Sequence, residues 1–108
     1  MHKNSNESVG NFGVYEILVF DITFKIGKAD LDRITLSTNT PTRIHQQVQK
    51  LVRMYGQNNV MYRILHKLFG VITKEAKELE RIILQLIYEK RKSIPEGNTK
   101  SYNPVKRK

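Results

Sequence analysis

Three histidines, His2, His45 and His66, are the residues of this 108-residue chain best suited to acid–base or metal chemistry. A second donor three or four residues away would share a helix face and could complete a metal pair, and neither His45 nor His66 has such a neighbour. Cys is absent, so a thiolate site, a cysteine nucleophile and a disulfide are excluded. No Gly-rich phosphate loop and no nucleophile elbow occurs. From Arg33 to Lys74 the chain has no Asp or Glu, which leaves few candidates for a carboxylate pair. The expectation is a protein without catalysis, metal, cofactor or small-molecule substrate.

The acid-free span has a different chemistry to offer. It carries seven Lys or Arg, and residues 90–108 carry seven more against Glu96 alone, within a formal net charge of +9. Charge of one sign at that density attracts polyanions and releases their counterions. Arg43, Gln46, Gln47, Lys50 and Arg53 recur at helical spacing, and Asn59, Arg63 and Lys67 do the same. A solvated helix face ordinarily mixes signs. Here long cations alternate with amides, a combination that can hold phosphates and reach base edges. On the hairpin described below, Lys25, Arg33, Thr35 and Ser37 share one polar face. The expected contact set for double-stranded DNA is therefore Lys25, Arg33, Thr35, Ser37, Arg43, Lys50, Arg53, Arg63 and Lys67.

The elements that must position these residues follow from periodicity. Residues 14–26 alternate as one strand, with Leu18, Phe20, Ile22, Phe24 and Ile26 on one face. Tyr15, Ile17 and Val19 make its first half apolar on the other face too, the mark of a central or covered strand. A second strand, 33–37, completes a hairpin through a turn from Gly27 to Leu31, setting Phe24 opposite Ile34 and Ile22 opposite Leu36. Three helices are predicted, over 41–55, 58–69 and 73–92. The first is capped by Asn39 or Thr40, the third by Thr73. Gly56 and a break in apolar phase separate the first two. The third carries an apolar belt from Ala76 to Tyr88, too wide for one small core, which predicts a homodimer. Residues 1–13 read as a flexible arm, 14–92 as one domain and 93–108 as a disordered basic tail. No apolar run approaches a membrane span, and the polar start lacks a signal-peptide core, so a cytoplasmic protein is expected.

Two families of DNA-binding fold are resembled over short stretches. Leu65 to Leu79, with Gly70 at a turn, Val71, Thr73, Ala76 and Leu79, resembles a helix-turn-helix unit and implies a winged-helix variant. In it the acidic Glu75, Glu78 and Glu80 keep the last helix out of the groove. Arg33-Ile34-Thr35-Leu36-Ser37, followed by a helix, Gly56 and another helix, resembles a ribbon-helix-helix dimer. The Lys-, Asn- and Ile-rich style is similar to that of small DNA-binding proteins of plasmids and phages from low-GC bacteria, including conjugation accessory factors at transfer origins. The fold expectation is thus α+β, an N-terminal hairpin packed on three helices in a winged-helix-like arrangement. The functional expectation is a sequence-specific DNA-binding accessory factor or transcriptional regulator encoded on a mobile element. The alternative is a phage or plasmid adaptor or inhibitor that binds an acidic host protein.

Overall fold

A computed structural model describes residues 8–106. The chain is α+β: among the described residues, a three-stranded antiparallel sheet lies between two α-helices. Residues 14–26 do not form one strand. The chain turns at Phe20-Asp21, giving β1 (Val9–Val19) and β2 (Ile22–Asp30) as an antiparallel hairpin with Val19 opposite Ile22. Phe20 and Asp21 both have positive φ, 51° and 64°, as a two-residue turn matched to strand twist demands. A bulge at Phe24 then restores the parity of the faces, so Glu16 sits beside Ile26 and Tyr15 beside Gly27. β1 is the central strand, and Phe12 to Ile17 are buried without interruption. The two-sided apolar character of that segment is satisfied within one chain.

The predicted pairing of 33–37 with β2 does not form. Only Ile34–Thr35 (β3) pairs, with Thr40–Pro41 (β4), in a small excursion before the first helix. That helix, α1 (Thr42–Tyr55), starts from Pro41 with no side-chain cap, so neither Asn39 nor Thr40 plays that part. The predicted second helix is a strand: β5 (Val60–Ile72) runs antiparallel along the other side of β1. Its register against β1 shifts between Val14 and Tyr15 and again between Gly10 and Phe12. Each shift adds one residue to β5, which stretches a period of two into spacings of three and four and imitates a helix. Gly70 therefore lies in a strand, and no helix-turn-helix or winged-helix unit is present among the described residues. The ribbon-helix-helix order fails with it, because the long strand β5 stands between α1 and the next α-helix.

The last helix, α2 (Thr73–Arg91), matches expectation in extent. Thr73 is its first residue instead of its cap, and donates from both backbone and hydroxyl to the Ser8 carbonyl. The helices cover opposite faces of the sheet. Ile44 and Leu51 of α1 pack on Tyr15, Ile17, Val19, Ala29 and Val60. Leu84 of α2 packs on Val14 and Ile26, with Leu79, Ile83, Ile87 and Tyr102 around it. The arm gives way to β1 at Val9, and its earlier part lies outside the described residues.

Part of the segment expected as a tail packs on the domain through Asn98, Tyr102 and Val105. A 3-10 turn, Glu96–Asn98, docks on the outer edge of β2. The Asn98 amide, 1% exposed, accepts from Ile26 N–H at 2.9 Å and donates to Ile26 C=O at 2.8 Å. It stands where a neighbouring strand would pair, and at Ile26 blocks an edge that would otherwise be a template for association. Gly97 permits the approach, because a Cβ there would meet the Phe24 carbonyl at 3.0 Å. Gln85 repeats the device on the segment itself, donating to Val105 C=O and accepting from Val105 N–H, each at 2.9 Å.

Candidate nucleic-acid interface

The exposed charges on the outer face of α1 are all of one sign. Arg43, Gln46, Lys50 and Arg53 are exposed and fall on one side of the helix, opposite buried Ile44 and Leu51. At about 1.5 Å per residue the 14 residues extend roughly 21 Å. Gln47, expected in the same stripe, turns inward: its amide oxygen accepts from the buried Tyr15 hydroxyl at 2.8 Å. Burial pushes that hydroxyl up to about 12 from 10.0. Tyr15 can lie flat there because its cross-strand neighbour is Gly27, where a Cβ would come within 2.3 Å of the ring.

The excursion before α1 brings further predicted residues to the same end. The Arg33 carbonyl accepts from Thr42 N–H at 2.8 Å, which puts Arg33 beside the start of α1 and Arg43. Thr35 donates to the Thr42 hydroxyl at 3.3 Å, and Ser37 is exposed in the turn between β3 and β4. Lys25, on the β2 flank of α1, is half-buried. Burial, then the Arg43 guanidinium and the Lys50 ammonium, lowers its pKa below the ordinary lysine value, with Glu80 acting the other way. Lys28, not singled out by sequence, behaves alike: burial, then Lys77 and Arg43, lower it, against Glu80 and Asp30. Its ammonium lies 5.2 Å from the Phe12 ring centroid, a cation–π distance. Glu80 of α2 is raised by burial and held back by Lys28, Lys25, Arg43 and Lys77.

Two predicted contacts sit elsewhere. Lys67 pairs in register with Gly13 on the α1 side of β5, away from the stripe. Arg63 pairs with Glu16 on the α2 side. Its Nε donates to Glu16 Oε1 at 2.5 Å, while Thr23 donates to the other oxygen of that carboxylate. Glu16 is 8% exposed and Arg63 65%, so the arginine answers a buried charge from the surface. The face around α2 mixes Lys74, Lys77, Arg81 and Lys90 with Glu75 and Glu78, all exposed.

Among the described residues, no group of three His, Asp or Glu converges to hold an ion. Among the same described residues, no helix is long and apolar enough to cross a membrane. Comparison with protein-family models, curated proteins and solved structures finds no match to this chain.

Proposed function

We propose that this chain is a non-catalytic double-stranded DNA-binding protein that lays the outer face of α1 on the duplex, as a small accessory factor or transcriptional regulator would. The observation that supports this most is the segregation of charge. The α1 layer presents Arg33, Arg43, Lys50 and Arg53 without an acid on the helix, while the α2 layer mixes signs. An α-helix fits the major groove, and a stripe of Arg, Gln, Lys and Arg along it supplies phosphate contacts with amide and guanidinium groups able to read base edges. Lys25 and Ser37 flank the stripe. Thr35 is tied to Thr42, and Arg63 to Glu16, so neither is a primary contact.

Fluorescence titration of a duplex library at several salt concentrations tests the reading. Lys50→Ala and Arg53→Ala should each lower the salt slope by about 1. Gln46→Ala should instead flatten sequence preference, at about 1–3 kcal/mol if its amide pairs with adenine. Arg63→Ala is the control: its loss should appear in stability more than in DNA affinity. No salt-dependent binding by the wild type, or a larger loss with Lys74→Ala and Lys77→Ala than with the α1 variants, would refute it. Retention of an acidic protein from nuclease-treated lysate would then favour the adaptor reading.

A further inference from the structure

We propose that a groove at the end of α1 receives a single unstacked base of DNA, an inference that rests on the DNA-binding reading and extends it to single strands. The groove, about 380 Å³, is lined by Phe20, Phe24 and Tyr55 with Ile22, Arg91 and Glu96 among its other walls. Tyr55 closes α1 two residues after Arg53, so the groove opens where the cationic stripe ends. The three rings meet edge-on, with Phe20 at 5.9 Å and Phe24 at 6.4 Å from Tyr55. Of the three, Phe20 is 57% exposed and presents ring surface to solvent.

Phe20 carries a second, independent signal. It holds φ of 51°, a left-handed conformation that Gly or Asn would adopt without strain and a bulky ring does not. Its N–H donates to Asn59 C=O at 2.8 Å, fixing the ring at the hairpin tip. An exposed aromatic kept in a strained position at the mouth of an apolar groove points to a ligand with a flat face. The charges on the walls narrow the class. Arg91 suits the phosphate beside the base, and the Glu96 carboxylate can accept from an exocyclic amine. Sequence-tolerant stacking on such rings is how single strands are held.

The test uses the full chain and a short single-stranded oligonucleotide with central 2-aminopurine, whose fluorescence reports stacking. Binding of the wild type should quench it. Phe20→Gly removes the ring and suits the positive φ, so the fold is preserved. It should abolish the quench and weaken single-strand binding roughly tenfold or more, leaving duplex affinity within about twofold. Arg91→Ala should weaken the complex while the bound state stays quenched. If the duplex binds but the wild type gives no quench, or Phe20→Gly quenches equally, this inference falls alone. If neither duplex nor single strand binds, the DNA-binding reading falls with it.

Discussion

Replacing Asn98 probes the seal on the sheet most directly. Asn98→Ala removes a donor and an acceptor at once, and leaves Ile26 N–H and C=O unpaired at a buried edge. An unsatisfied buried group costs about 1–3 kcal/mol, and water reaching part of the vacated edge tempers the sum, so about 2–4 kcal/mol of stability should be lost. Asn98→Asp separates the two bonds. One carboxylate oxygen can still accept from Ile26 N–H, but the other confronts Ile26 C=O and only a protonated carboxyl can donate to it. The folded pKa of this aspartate should therefore rise above its unfolded value. Stability should approach wild type below about pH 4, the unfolded range, and be lost as pH rises through the raised pKa. Urea unfolding at several pH values measures this, and amide exchange at Ile26 locates it. If Asn98→Ala unfolds within about 0.5 kcal/mol of wild type and Ile26 exchanges no faster, the seal does not depend on this side chain.

Two further outcomes follow from the packing. Burial holds the Tyr15 hydroxyl at about 12 against 10.0, so its proton is kept by the folded chain after the unfolded chain has lost it. Stability should be unaffected below pH 10 and fall by about 2–3 kcal/mol by pH 12, and Tyr15→Phe should remove that part of the fall in alkaline denaturation curves. On α2, Ile82 and Leu86 stay exposed one turn apart, and we expect a second copy to cover them. Sedimentation should then show a dimer at roughly tens of micromolar that Ile82→Glu with Leu86→Glu dissolves; a wild-type monomer throughout that range rules the pairing out.

The helices were legible because Ile44, Val48, Leu51, Val52 and Tyr55, like Ala76, Leu79, Ile83 and Ile87, keep a helical period undisturbed. The central strand was legible from its two apolar faces. β5 was not, because two inserted residues disguise its alternation as a helical one. The turn at Phe20-Asp21 was hidden for a related reason: a ring occupies a place where Gly or Asn would have announced a hairpin. On α1 the cationic stripe could be read off, since helix geometry alone decides which side chains align. Arg63 could not be placed this way, because its fate depends on Glu16, 47 residues distant and on another strand. The docked segment around Asn98 and Tyr102 has no period at all. Its fit is decided by individual amide and hydroxyl groups, which composition does not distinguish from a solvated tail.

That docked segment sets an order of events in folding. The hairpin of β1 and β2 closes over a two-residue turn and belongs to the fast, local part of the process. The side chain that finishes β2 arrives from 72 residues away, at the end of a far longer loop. In any intermediate that has the hairpin but not the docked segment, β2 offers an open row of amides and carbonyls to other chains. Aggregation on refolding should therefore grow with the lifetime of that interval, so a variant as stable as wild type but slower to dock should lose more chains to misassembly.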